Sequence, residues 1–92
     1  MDFNEQEKIF FDELMKALTD FKGVIRPQRM SDKSLSIFYG TYPVGKIKLT
    51  GKKHWMQILK GLQTHKTIEG EIGDFIQHIP EWVRYIRYLE RG

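Results

Sequence analysis

The sequence predicts an α+β fold: an N-terminal helix, a three- to four-stranded antiparallel meander, and two C-terminal helices, or one kinked helix, packed on one face of the sheet. Two patterns lead to this expectation. Apolar residues recur at helical spacing at both ends of the chain, whereas they alternate with polar residues in the middle. The chain has 92 residues, the length of one small domain, which we place at 1–92.

Residues 4–21 predict the first helix, because their apolar side chains fall on one helical face. Asn4 is a suitable N-cap, and Glu5 and Glu7 lie in the first turn, where the helix dipole favours anions. The apolar positions of this face are Ile9, Phe10, Leu14, Ala17, Leu18 and Phe21.

Two or three strands are expected next. Residues 24–30 predict an edge strand or an extended connector, because their proline cannot donate a backbone hydrogen bond to a neighbour. Residues 34–39 and 42–50 alternate more clearly, and the Gly-Thr pair between them predicts a hairpin. The alternation changes phase near Gly45, which indicates a β-bulge.

Residues 52–62 fit two structures. A strand would place Trp55 and Gln57 on one face, but a helix would also align four apolar side chains: Trp55, Ile58, Leu59 and Leu62. The Thr-Gly turn at 50–51 follows a clear strand directly, so it favours a further strand of the meander.

The last third of the chain predicts helix. Pro80 breaks or restarts it, because proline is favoured in the first turn of a helix and disfavoured in its interior. The apolar stripe before this proline consists of Ile68, Ile72, Phe75, Ile76 and Ile79. The stripe after it consists of Trp82, Val83, Ile86 and Leu89.

Charge is distributed unevenly along the chain. The net charge is only +3, but residues 22–66 contain ten Lys or Arg side chains and a single acid, Asp32, between two acidic flanks. Such a block favours an anionic partner. The alternative is that the acidic helices fold back and neutralise it within the domain.

The predicted hairpins bring part of this block onto the sheet face that points away from the helices. The side chains expected there are Ser36, Phe38, Lys46, Lys48, Lys53, Trp55 and Gln57. We therefore expect a small non-catalytic domain that binds nucleic acid, with Phe38 and Trp55 stacking on bases. The phosphate contacts would come from Lys46, Lys48, Lys52 and Lys53. The alternatives are a homodimer or other protein-interaction module that buries the aromatic face, or a further layer of core.

A second basic element is the stripe of Arg84, Arg87 and Arg91 beside Tyr85 and Tyr88. These side chains are suited to clamp phosphates and to stack. The alternative is that the arginines complement the dipole at the end of the helix and pair with two nearby acids, Glu81 and Glu90.

Catalytic and cofactor motifs are absent from the sequence, so we expect neither an enzyme nor a bound cofactor. Cysteine is missing, and no glycine-rich phosphate loop or nucleophile elbow occurs. Three residues at helical spacing, Glu71, Asp74 and His78, offer ligands to a metal, but nothing in the sequence enforces such a site. The chain has no long apolar run, and its N-terminus is acidic. Both features predict a cytoplasmic domain that does not enter a membrane.

Overall fold

The computed structural model of the chain describes residues 3–21, 23–61 and 64–91. Its elements are α1 (Glu5–Ala17), β1 (Ile25–Arg29), β2 (Leu35–Tyr39), β3 (Tyr42–Lys48), β4 (Trp55–Leu59), β5 (His65–Glu69), α2 (Ile72–Gln77) and α3 (Ile79–Arg91). The strands form one antiparallel sheet in the order β1-β2-β3-β4-β5. The α+β class is thus confirmed, with five strands where the sequence predicts three to four.

The additional strand is β5, which pairs with β4 so that Ile68 lies opposite Met56. The sequence pattern assigned Ile68 to the C-terminal helix, and this assignment is wrong. The reason is that β5 contains a single apolar residue, so its alternation is weak, while Ile68 also happens to stand four positions before Ile72. Pairing with a central strand overrides the local pattern.

The ambiguous segment 52–62 contains a strand, β4, which hydrogen-bonds to β3 on one side and β5 on the other. Met56 and Ile58 point into the core, as the strand alternative requires. Leu62, which the helical alternative used, lies outside the described residues, as does Lys22 of the basic block.

Helix α1 begins with the predicted cap. The amide of Glu7 donates to Asn4 Oδ1 at 2.8 Å, and the Asn4 amide donates back to Glu7 Oε1 at 2.9 Å, which completes a capping box. The helix ends at Ala17, four residues before the predicted end, and Phe21 instead packs edge-on against Tyr39 of β2.

The predicted bulge lies in β3. Ile37 pairs with Gly45 and Phe38 with Pro43, so Val44 is the extra residue. A Cβ on Gly45 would stand 2.5 Å from the Gln57 carbonyl oxygen and 2.8 Å from Trp82 Nε1. Glycine is therefore required at this position, because strand β4 and the indole of α3 approach the backbone closely.

All three helices pack on one face of the sheet. Helix α3 lies over β3 and β4, where Trp82 Nε1 donates to the Gln57 carbonyl at 2.9 Å. Pro80 is the second residue of α3, which begins two residues after α2 ends, so the proline restarts the helix as predicted. The core between the layers is formed by Phe10, Leu14, Leu18, Leu35, Ile37, Val44, Ile47, Leu49, Met56, Ile58, Phe75, Ile79, Trp82 and Ile86.

The longest helices of the described part of the chain, α1 and α3, have 13 residues each. None of the helices there has the length and apolar character needed to cross a bilayer.

Candidate functional site

The face of the sheet opposite the helices carries most of the predicted site. Strand register decides which side chains share it, because residues paired across neighbouring strands point to the same side. We call this surface the open face. Its members are Arg26, Gln28, Ser36, Phe38, Pro43, Lys46, Lys48, Trp55, Gln57, Leu59, His65, Thr67 and Glu69.

The register brings the predicted lysines and Trp55 together. Lys46 lies between Ser36 and Gln57, and Lys48 lies beside Trp55 where β3 ends and β4 begins. Glu69 of β5 is the neighbour of Trp55 on its other side. Both lysines are half-buried, as expected where the aliphatic part of the side chain lies along the sheet and the ammonium group stays in water.

Lys52 and Lys53 lie outside the strands. The sequence placed Lys53 in a strand beside Trp55, but β4 begins only at Trp55, and the residues before it form a turn around Gly51. Gly51 has a φ of 74°, and its carbonyl is 3.1 Å from His54 Nε2. Both lysines are exposed in this turn, at the end of the open face nearest Lys48.

The two aromatic rings of the open face differ in access. The Arg26 guanidinium lies over the Phe38 ring, 5.6 Å from its centroid, and is held there by a hydrogen bond of 3.2 Å to the Gly40 carbonyl. Trp55 has no such cover among the described residues. Both residues are half-buried, and the two rings differ in that a cation covers Phe38 and none of the described cations covers Trp55.

The acidic helices neutralise only part of the basic block. Arg29 contacts Glu7 of α1, and Lys60 and Lys66 lie 3.9 and 3.5 Å from Glu81 of α3. Lys46 and Lys48 form no ion pair with any residue that the structure describes. The helical acids are in the other layer, so the sheet separates them from these lysines.

Asp32, the single acid of the basic block, lies near the open face. Hydrogen bonds from the hydroxyl and amide of Ser34, at 2.6 and 3.0 Å, lower the pKa of Asp32, and the positive charges of Lys48 and Lys46 lower it further. Asp32 therefore stays ionised and reduces the positive potential at one end of the open face without forming a direct ion pair with the lysines.

A buried ion pair joins α1 to β1, and sequence patterns did not reveal it. Glu7 is 1% exposed, and its two carboxylate oxygens accept from Arg29 Nη1 and Nη2 at 2.6 and 2.9 Å. Burial raises the pKa of Glu7, but the hydrogen bonds from Arg29 and the Asn4 amide outweigh it, so the pKa lies below its ordinary value. The only sequence signal was a carboxylate in a first turn, and its partner is 22 residues away.

The arginines of α3 do not pair with the two acids of their own helix. Glu81 contacts Lys60, Lys66 and His78, and Glu90 accepts a hydrogen bond of 2.6 Å from the Tyr39 hydroxyl. Arg87 lies 3.5 Å from Asp20 and over the Phe21 ring. The expected Glu81 and Glu90 pairing is therefore not found in the part of the chain that the structure describes.

Two side chains of the metal triplet suggested by the sequence, Asp74 and His78, form local hydrogen bonds. Asp74 Oδ2 accepts from the Glu71 amide at 2.9 Å, and His78 Nδ1 lies 2.8 Å from the Asp74 carbonyl. His78 Nε2 is 3.7 Å from Glu81. Within residues 3–21, 23–61 and 64–91, no three His or acidic side chains are grouped so as to hold a metal ion.

The geometry defines a two-layer α+β domain with a basic, partly aromatic sheet face that its own helices leave uncovered. Comparison with protein-family models, with curated proteins and with solved structures gives no match for this chain. Any assignment of function therefore depends on the physical chemistry of its surfaces.

Proposed function

We propose that this domain binds single-stranded nucleic acid on the open face. The observation that supports the proposal is the pair formed by Lys48 and Trp55, next to Lys46, on a face that none of the described helices covers. An accessible aromatic ring beside cations is the arrangement with which sheet surfaces bind unpaired bases and their phosphates. Bases in a duplex are stacked on one another, so a flat face of this kind selects single strands.

Each residue has a distinct role in this mechanism. Trp55 stacks on a base, and such a contact contributes about 1–3 kcal/mol whatever the base. Lys46 and Lys48 neutralise phosphates, and Lys52 and Lys53 continue the cationic path beyond the end of the strands. Phe38 contributes a second stacking position, where the Arg26 guanidinium either moves aside or stacks on the base itself.

The test is a salt titration of binding to a labelled oligo(dT) by the parent protein and by Lys46→Gln/Lys48→Gln. Each phosphate contact to a single strand contributes about 0.7 to the log–log slope, so the double variant loses about 1.4 from the slope. The matched control is Lys8→Gln/Lys16→Gln, which makes the same change in net charge on α1, in the other layer, and leaves the slope unchanged.

A second arm examines stacking. Trp55→Ala weakens binding about fivefold to a hundredfold at every salt concentration, because a stacking contact of about 1–3 kcal/mol is lost without a change in charge. Equal slopes and affinities for the parent and the lysine variant would contradict the proposal.

Self-association through the same face is the competing outcome, and it is measured on the same samples by light scattering. Absence of oligonucleotide binding at low salt, together with a mass near twice 11.0 kDa that Trp55→Ala restores to the monomer, would replace the nucleic-acid proposal with a dimer. A monomeric parent that binds oligo(dT) supports the nucleic-acid proposal.

A further inference from the structure

A groove lies between α3 and the end of β4, away from the open-face lysines. Its volume is about 530 Å³, within the size range of small-molecule sites. One wall is the exposed side of α3, and the other is formed by the end of β4 and the residues that follow it. We call it the α3 groove, and the side chains relevant to its chemistry are Lys60, Glu81, Arg84, Tyr85, Tyr88 and Arg91.

The charge of the α3 groove is positive and largely uncompensated. Arg84 and Arg91 form no ion pair with any described residue, because Glu81, which also lines the groove, contacts Lys60, Lys66 and His78, and Glu90 accepts from the Tyr39 hydroxyl. Lys60 stands on the opposite wall, 3.9 Å from Glu81. Two guanidinium groups without carboxylate partners, facing a groove that also holds an ammonium group, favour an anionic ligand with several oxygens.

An aromatic ring lies between the two arginines. Tyr88 stands four residues after Arg84 and three before Arg91, so all three side chains share one helical face. The Tyr88 ring is 57% exposed and rests against Tyr85, with 6.0 Å between the ring centroids. Tyr85 is buried, so it supports the exposed ring from behind.

We propose that the α3 groove binds a nucleotide, with its base stacked on Tyr88 and its phosphates held by Arg84 and Arg91. The combination of an exposed ring with guanidinium groups on both sides matches a ligand that carries a planar base and a phosphate chain. The proposal uses none of the open-face residues, so it stands independently of nucleic-acid binding there.

The experiment is a titration of the full chain with ADP, followed by NMR chemical shifts and by calorimetry. Saturable binding that shifts the amides of α3 and of residues 58–61 is the expected result. Arg84→Gln/Arg91→Gln weakens ADP binding about tenfold or more, since loss of a single charge-assisted hydrogen bond already has an effect of that order. Tyr88→Ala weakens it about fivefold to a hundredfold through loss of a stacking contact of about 1–3 kcal/mol.

The matched control is Lys46→Gln/Lys48→Gln, which removes the same charge from the open face. It keeps the affinity for ADP, while Arg84→Gln/Arg91→Gln keeps the salt slope for oligo(dT). Both arginines and Tyr88 are exposed, so these variants retain the fold, which the near-ultraviolet signal of buried Trp82 reports.

Pyrophosphate and adenosine separate the two halves of the ligand. ADP is expected to bind more tightly than either fragment, because both the ring and the phosphates are recognised. No saturable binding of ADP at millimolar concentration overturns the proposal. Pyrophosphate binding as tight as ADP, or equal ADP binding by the parent and the arginine variant, also overturns it.

Discussion

Trp82 and Trp55 lie on opposite faces of the sheet and in opposite environments. Trp82 is 0% exposed, its Nε1 donates to the Gln57 carbonyl, and its indole lies against the backbone of Gly45. Trp55 is half-buried between Lys48 and Glu69, and α1, α2 and α3 all lie on the other side of the sheet. The same residue type thus fixes the fold on one face and offers a contact surface on the other.

The cations show the same difference. Arg29 binds both oxygens of the buried Glu7 carboxylate, whereas Lys46 has only the uncharged neighbours Ser36 and Gln57 in the register. A charge held in a buried pair is withdrawn from ligands, and removal of its partner is costly because it leaves the charge buried and uncompensated. A charge left on a solvated face contributes little to stability and remains able to attract an anion.

The largest expected effect is that of Trp82→Ala. Loss of a fully buried indole and of its hydrogen bond lowers the free energy of unfolding by about 3–5 kcal/mol, a large part of the stability of a small domain. Urea unfolding followed by circular dichroism measures it. Trp55→Ala is the matched control and costs about 1 kcal/mol or less. Similar losses for the two variants would contradict the distinction between the faces.

Glu7→Gln has the second largest effect, a loss of about 2 kcal/mol at neutral pH, because a buried charge-assisted bidentate contact is removed. The folded-state pKa of Glu7 is lowered, so the ion pair stabilises the fold above the unfolded-state pKa of about 4.3. That stabilisation disappears as the pH falls through the folded-state pKa. The difference between the parent and Glu7→Gln therefore shrinks on acidification.

The measurement is urea unfolding of both proteins at a series of pH values between neutral and strongly acidic. Glu5→Gln is the control, because Glu5 is in the same helical turn but exposed. It changes stability by about 0.5 kcal/mol or less. A Glu7→Gln deficit that stays constant down to the lowest pH would show that the ionised carboxylate does not stabilise the fold.

Asn4→Ala tests the other half of the capping box. Loss of the cap to the Glu7 amide costs about 1 kcal/mol. Asn4 Nδ2 also donates to the Leu49 carbonyl at 3.1 Å, and both Asn4→Ala and Asn4→Asp lose this bond. Asn4→Asp keeps the cap, so its melting temperature should be higher than that of Asn4→Ala. Equal melting temperatures would show that the cap makes no net contribution.

The smallest stability change is expected for Lys46→Gln/Lys48→Gln, within about 0.5 kcal/mol of the parent in urea unfolding. If the open face binds nucleic acid as proposed, the same variant loses phosphate contacts, so its loss of binding is much larger than its loss of stability. A loss of stability as large as that of Glu7→Gln would place these lysines among the residues that hold the fold together.

Strongly periodic segments were predictable from the sequence, and weakly periodic ones were not. The cap at Asn4, the bulge at Gly45 and the restart of the helix at Pro80 follow from the backbone properties of those residue types. Strand β5 was missed because only one of its five residues is apolar, so its conformation depends on pairing with β4.

Part of the candidate site was also predictable. Alternation along each strand placed Lys46, Lys48 and Trp55 on one face, and the register agrees. It failed for Lys53, because no pattern showed that the turn after β3 extends to His54. It also could not show that Arg26 lies over Phe38, because that contact joins two strands whose register is set by the whole sheet.

The sequence by itself determined the α+β class, the ends of several elements and the uneven distribution of charge, because these depend on local periodicity, backbone geometry and composition. Only the tertiary structure decided which charged side chains form ion pairs within the domain. Glu7 pairs with Arg29, and Glu81 pairs with Lys60 and Lys66. The acids of the helices lie on the opposite side of the sheet from Lys46 and Lys48, which have no ion-pair partner among the described residues. Ion pairing depends on distances of a few ångströms between residues far apart in the chain, and only the packed sheet and helices set those distances.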